Sequence, residues 1–186
     1  MKKIFLPFFL FTAFFFFSCS RDETIVKIQR TPELSFDLDG TSWKADTYGF
    51  ASVSKVVVYP HDTSQPGQLL NRLTLQATGR DSLNNSYQFI VTFDVIDANN
   101  LVGTYSPAYT PQRGLAQVQL FNLTNSSDLS AYDLCDNNLA NAVMQIEKQK
   151  PDERIMTGNF HMTLCNARDT TQKIFITDGV IKDIKY

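Results

Sequence analysis

The side chains that most often carry catalysis or bind metals are sparse in this chain. Its 186 residues include two histidines, His61 and His161. His61 precedes Asp62, as in some serine-hydrolase triads, but the chain lacks the G-x-S-x-G sequence that would position a nucleophilic serine. His161 alternates with Phe160 and Met162, which is typical of a solvated position on a β-strand. The histidines therefore give no basis for predicting an enzyme.

The sequence also has no signature of a metal site or of a catalytic pair of carboxylates. The chain has no H-E-x-x-H motif, and Asp37 and Asp39 lack the later ligands of a calcium loop. A carboxylate pair of the kind that hydrolyses glycosidic bonds has no sequence signature, because its members meet only in the folded chain. We therefore predict no metal, no cofactor and no enzymatic activity, and keep a carboxylate-dependent hydrolase as the second alternative.

Cys135 and Cys165 have the spacing of a disulfide. Two predicted strands, 139–148 and 155–165, flank a predicted hairpin loop at 150–153. A hairpin centred there brings the two cysteines together across the ladder. Two buried free thiols are the alternative, and a thiol-redox role is disfavoured because there is no C-x-x-C motif. We predict a disulfide, which fits a compartment outside the cytoplasm.

Aromatic residues are candidates for stacking against a sugar ring. These are Trp43, Tyr105, Tyr109 and Tyr132. Tyr105 and Tyr109 lie on either side of Pro107 in a predicted loop, and Trp43 follows a predicted turn. Core packing is the competing interpretation for these three, most strongly for Trp43.

The first residues indicate an export signal. Lys2 and Lys3 precede an apolar run over 4–17, which is as long as a signal-peptide core and too short to span a bilayer as a helix. The run ends at Ser18-Cys19, and this junction resembles the lipobox of bacterial lipoproteins, although two phenylalanines replace the usual residues before the serine. The resemblance implies cleavage before Cys19 and acylation of that cysteine, which anchors the protein to a membrane.

The predicted organisation has three parts: a signal peptide over 1–18, a lipidated flexible tether over 19–32, and one domain over 33–186. Asp22-Glu23 resembles the acidic signal that sends some lipoproteins to the outer face of the outer membrane. We therefore expect a lipid anchor in the outer membrane with the domain facing the cell exterior, the periplasmic face being the alternative.

Charge argues against a nucleic-acid partner. The formal net charge is -2, and loss of the two lysines of the signal makes it -4. Phosphate backbones are bound by clustered lysine and arginine, and the mature chain has no such cluster.

The mature sequence is dominated by period-two alternation. The clearest case is 87–95, where aromatic and branched residues occupy every other position. Asp39-Gly40 and Asp178-Gly179 predict tight hairpin turns. About ten short strands separated by turns predict an all-β fold, an antiparallel β-sandwich or barrel, with a single helical turn expected within 126–134.

Two triplets are similar to the Asp-Ser/Thr-apolar acceptor of a protein O-glycosylation system. They are Asp81-Ser82-Leu83 and Asp169-Thr170-Thr171, both in predicted loops. Ser82 and Thr170 are therefore candidate modification sites.

Four short motifs together resemble an uncharacterised family of small lipoproteins from the Bacteroidota. They are Phe36-Asp37-Leu38-Asp39-Gly40-Thr41-Ser42-Trp43-Lys44-Ala45, Gly103-Thr104-Tyr105, Gly158-Asn159-Phe160 and Ile176-Thr177-Asp178-Gly179-Val180. The resemblance spans nearly the whole mature domain, and Ile181 stands where the family often has an aromatic residue. It implies an antiparallel β fold and a cell-envelope address, and it implies no activity.

The sequence thus favours a non-enzymatic, surface-anchored binding or accessory module, with a glycan, a peptide or an envelope protein as its partner. The first alternative is a calycin-like barrel that carries a small apolar ligand. An apolar cavity of ligand size would favour the carrier.

Overall fold

The computed structural model describes residues 31–58, 67–108, 110, 112–124, 130–135 and 141–186. These ranges contain ten strands and a short 3-10 turn over Pro151–Glu153. The strands are β1 (Glu33–Leu38), β2 (Thr41–Val58), β3 (Gln68–Asp81), β4 (Ser86–Val95), β5 (Gly103–Tyr105), β6 (Arg113–Asn122), β7 (Ala131–Leu134), β8 (Ala142–Lys150), β9 (Ile155–Asn166) and β10 (Lys173–Lys185). No helix in the described ranges is long and apolar enough to cross a membrane.

Eight of these strands close into an antiparallel barrel. Its wall runs through β1, β2, β3, β4, β6, β7, β9 and β10, and β10 pairs with both β9 and β1. The predicted all-β fold is confirmed, and the form is a barrel with two added strands. Closure joins the first and the last of the described strands, so every strand of the ring has a partner on each side.

The two added strands complete one part of the wall. Strands β7 and β8 lie end to end along the same edge of β9, with Leu134 opposite Leu164 and Ala142 opposite Met162. Strand β5 pairs with the outer edge of β8. A hydrogen bond of 2.8 Å from the Leu115 N–H to the Ser106 carbonyl joins β6 to the residue that follows β5.

Alternation places the apolar side chains inside the barrel. Along β4, Phe89, Val91, Phe93 and Val95 are buried and belong to one hydrophobic core. A layer of four rings fills part of the interior, formed by Phe36, Trp43, Phe89 and Phe160. The Phe36 and Trp43 rings stack at 4.4 Å between centroids, and the Phe89 and Phe160 rings stack at 5.5 Å.

The two ends of the barrel differ in what they carry. The end at which β1 begins, here called the entry end, also carries the 3-10 turn and the C-terminal Tyr186. The opposite end, here called the turn end, carries the β1–β2, β3–β4 and β9–β10 connections. Hydrogen bonds join those connections, from the Asp39 N–H to the Phe175 carbonyl and from the Ser82 N–H to the Ser42 carbonyl, each 2.9 Å.

Several predicted boundaries change in the structure. One strand is longer than the short strands predicted: β2 runs from Thr41 to Val58, because register shifts after Ala45 and after Phe50 let the strand bend without ending. The helical turn expected within 126–134 is wrong for 130–134, where 131–134 form β7 and residue 130 is not helical, and 126–129 lie outside the described residues. The predicted signal peptide and all but the last two residues of the tether also lie outside them.

Candidate functional site

The histidine and metal chemistry considered from sequence is not assembled among the described residues. His161 lies on β9 opposite Val143 with its side chain exposed, as predicted. His61 falls outside the described residues. Within the described part of the chain, no three His, Cys, Asp or Glu residues lie close enough to hold a metal ion.

Two of the proposed stacking residues are inside the protein. Trp43 and Tyr105 are both 0% exposed, so neither ring offers a face to an external glycan, and the prediction that they contact such a ligand is wrong. Tyr105 packs against Phe93 with centroids 5.0 Å apart, and its hydroxyl donates to the Leu101 carbonyl at 2.7 Å. Burial raises the pKa of Tyr105, although the nearby Arg113 opposes that shift. Tyr109 lies outside the described residues.

The predicted disulfide is confirmed between Cys135 and Cys165, whose Cα atoms are 5.1 Å apart. The register differs from the expectation of one continuous hairpin. Asp133, and not Cys135, lies directly opposite Cys165. Strands β7 and β8 pair with β9 in different registers, and in the β7 register the disulfide joins residues two positions apart.

The two candidate glycosylation residues lie in exposed turns at the turn end. Ser82 and Thr170 are both exposed, as access by a modifying enzyme requires. Their glycosylation stays a prediction. The aspartate of each triplet stabilises its own turn. Asp81 accepts hydrogen bonds from the N–H groups of residues 83 and 85. Asp169 accepts from the N–H and the hydroxyl of residue 171, and these bonds lower the pKa of Asp169.

The turn end brings together two tyrosines from distant parts of the chain. Tyr87 begins the inward row of β4, and Tyr132 lies on β7 opposite the buried Leu120. Both rings are half-buried and pack against the core. Tyr132 was among the aromatic candidates from sequence. Tyr87 was not, although it occupies the first inward position after a turn, where an aromatic ring lies at the mouth of a barrel.

The surroundings of Tyr87 are acidic. Burial raises the pKa of Tyr87, and repulsion by the charges of Asp81, Tyr132 and Asp39 raises it further. Asp81 is itself opposite Trp43 in the β2–β3 ladder. Five residues at this end of the barrel are here called the turn-end cluster: Asp39, Trp43, Asp81, Tyr87 and Tyr132.

The turn-end cluster also contains a buried donor with no acceptor. The indole Nε1 of Trp43 is buried and has no hydrogen-bond partner. A buried N–H without a partner costs about 1–3 kcal/mol. Such groups are rare in folded proteins.

A concave feature lies on the β2–β3 hairpin. It is a shallow groove of about 270 Å³ lined by Thr47, Tyr48, Gly49, Phe50, Gln76, Ala77 and Thr78. Its lining has no charged side chain, and its volume is slightly below the usual range for small-molecule sites. Phe50 also contacts the C-terminal Tyr186, with ring centroids 6.2 Å apart.

Comparison with known proteins identifies no relative. No protein-family model matches the chain, and no curated protein or solved structure is significantly similar to it.

Proposed function

We propose that the protein is a lipid-anchored binding module of the cell envelope, without enzymatic activity, that presents the turn end of its barrel to a partner. The relation between the two ends carries this proposal. The chain enters β1 at Glu33, and Tyr87 and Tyr132 lie half-buried at the opposite end. An anchor at Cys19 holds the entry end nearer the membrane. The turn-end cluster then faces away from it.

The sequence supports the envelope address independently. The apolar run that ends at Ser18-Cys19 is typical of a lipoprotein signal. The Cys135–Cys165 disulfide is typical of a protein outside the cytoplasm. The resemblance to small Bacteroidota lipoproteins agrees with both and stays a prediction.

A carrier of a small apolar ligand is the second candidate. Closure of eight strands favours it, because barrels of this size can hold one small ligand. The stacked rings of Phe36, Trp43, Phe89 and Phe160 occupy part of that interior. A carrier would have to place its ligand beside this layer, so we rank the binding module first.

Metabolic labelling with a fatty-acid analogue, followed by protease treatment of intact cells, tests the proposal. We expect label on the wild-type chain and none on Cys19→Ser. We also expect protease to remove the domain from intact cells while a periplasmic marker survives. An unlabelled chain would contradict the anchor, and a labelled chain protected until the outer membrane is opened would contradict surface display.

A further inference from the structure

The β2–β3 hairpin projects past the barrel wall at the entry end. The last described pair between β3 and β4 is Asn71 with Val95, whereas β2 and β3 stay paired beyond that level. The extension is about 10 Å at the rise of a β-strand. It consists of three ladder pairs, here called the hairpin tip: Val56 with Leu70, Val57 with Leu69, and Val58 with Gln68.

The hairpin tip is apolar except for Gln68, since its other members are valine and leucine. Val57 and Leu69 lie opposite each other, so their side chains share one face of the hairpin. They are 53% and 54% exposed, while Leu70 on the other face is buried. Single exposed apolar residues are common on protein surfaces. A projecting pair of strands built from them is a contiguous apolar surface, which indicates an interaction site.

The exposed apolar residues at the turn end have a different arrangement. Leu83, Leu123 and Phe175 are exposed there. They belong to three different segments, and none of them lies opposite another in the described ladders. Leu83 lies in a tight turn, where its N–H donates to the Asp81 carboxylate at 2.9 Å. The paired and projecting apolar surface is therefore a property of the entry end.

The position of the lipid anchor indicates what the hairpin tip meets. Ser35 of β1 lies opposite Lys44 of β2, and from Lys44 to Val57 the strand covers about 40 Å. The chain from Cys19 to Ser35 can span at most about 55 Å. An acylated Cys19 can therefore sit in the same bilayer that the hairpin tip touches. Apolar residues of interfacial segments are buried about 5–10 Å into a membrane, which matches the projecting length of the hairpin.

We propose that the hairpin tip inserts into the interfacial layer of the membrane that holds the lipid anchor, with Val57 and Leu69 in contact with acyl chains. This inference rests on the proposed lipid anchoring and adds a second, protein-borne contact with the same bilayer. Two attachment points fix the orientation of a domain that one tether leaves free to rotate. The hairpin contact therefore holds the turn end away from the membrane.

Photolabelling from within the bilayer tests this contact. Purified lipidated protein is reconstituted into vesicles of phosphatidylethanolamine and phosphatidylglycerol. The vesicles also contain a phospholipid with a diazirine near the glycerol end of one acyl chain. After illumination, mass spectrometry locates the labelled residues. We expect label on the hairpin tip and none on Leu83, which is 73% exposed at the turn end and serves as the internal comparison.

Variants at the two ends of the barrel provide the second readout. The double variant Val57→Thr/Leu69→Thr removes apolar surface and keeps strand-forming residues on both strands. It should lower the label on the unchanged Val56 and Val58 at least about threefold. Leu83→Thr is the matched control and should leave that label unchanged. Near-ultraviolet circular dichroism of the buried aromatic rings verifies that both variants fold.

Three results would overturn the inference. The first is a wild-type hairpin tip without label, whether the tip stays in water or packs against a second copy of the chain. The second is label on Leu83 as strong as that on the tip. The third is an equal loss of tip label in the double variant and in Leu83→Thr. Fatty-acid labelling separates these failures from failure of the anchor. An acylated Cys19 with an unlabelled tip contradicts the hairpin contact alone, and an unacylated chain contradicts both.

Discussion

Arg72 and Asp94 form a two-pronged ion pair across β3 and β4. The Nε and Nη2 groups of Arg72 donate to the two carboxylate oxygens of Asp94, each at 2.8 Å. Asp94 alternates with the inward Phe93 and Val95, so its side chain lies on the outer face of the barrel, yet it is 0% exposed. The Arg72 side chain is 35% exposed. The Asp94 carboxylate is therefore removed from water, and it is paired with a guanidinium that is still partly exposed to solvent.

Replacement of Arg72 by methionine should destabilise the barrel by about 2–3 kcal/mol, because the Asp94 carboxylate stays buried after the two Arg72 donors are lost. Replacement of both residues, Arg72→Met with Asp94→Leu, should cost less than the two single changes together. Urea unfolding of the four proteins measures the coupling between the two residues. Simple additivity of the two single effects would show that the pair contributes no interaction energy.

Reduction of the Cys135–Cys165 disulfide should lower the free energy of unfolding. The bond closes a loop of 30 residues, and the chain-entropy relation gives a stabilisation of about 3–4 kcal/mol for that length. The double variant Cys135→Ala/Cys165→Ala should reproduce the loss without a reductant. Unfolding of wild type with and without reductant measures the effect, and the double variant under the same reductant is the control. Equal stability of the oxidised and reduced forms would contradict this expectation.

The features that sequence predicted here are local. The alternation through Phe89, Val91 and Phe93 gives the inward face of β4 directly, and the Asp39-Gly40 pair gives the β1–β2 turn. Both need information from only a few neighbouring residues, since side-chain direction alternates along a strand and a turn requires particular backbone angles. Asp39 and Gly40 both have positive φ, as such a turn demands.

The features that sequence did not predict depend on contacts between distant segments. Burial of Tyr105 results from the pairing of β5 with β8, and nothing near residue 105 indicates that pairing. Tyr87 and Tyr132 lie near each other at the turn end only because β4, β6 and β7 are neighbours in the ring. The disulfide was predicted correctly but with a different register, because the change of register between β7 and β8 has no sequence signature.

Gly158 should tolerate no side chain. A Cβ at this position would overlap the Gln145 carbonyl oxygen and lie 3.0 Å from the Ile146 Cα, both parts of the neighbouring strand β8. Backbone cannot move aside cheaply, so we expect Gly158→Ala to destabilise the barrel by about 1–3 kcal/mol. Gly49→Ala is the matched control, because its Cβ would meet nothing within 4 Å. It should be neutral or stabilising by up to about 1 kcal/mol.

Thermal unfolding of the two glycine variants tests this contrast. A loss of similar size in both proteins would indicate a general intolerance of alanine in these strands. A loss confined to Gly158→Ala would indicate close approach of β8 and β9.

Tyrosine titration provides a pH-dependent test of the barrel interior. The chain has seven tyrosines, and burial raises the pKa of Tyr105 and of Tyr87 above the ordinary value. A raised pKa means that folding favours the protonated phenol. The stability this contributes is complete below the ordinary tyrosine pKa of about 10 and is lost as the pH rises through the folded-state value. Tyr105 should show the larger effect, since its ionisation also removes the hydroxyl donor to the Leu101 carbonyl.

The absorbance of tyrosinate, followed against pH in the native protein and in urea, measures this difference. We expect Tyr105→Phe to remove a component that, in the native protein, appears only at pH values well above 10 together with loss of folded structure. In urea, the same substitution should remove a component with a midpoint near 10. If Tyr105→Phe removes a component near pH 10 from the native protein as well, then the hydroxyl reaches solvent, and the β5–β8 pairing does not seal this part of the barrel.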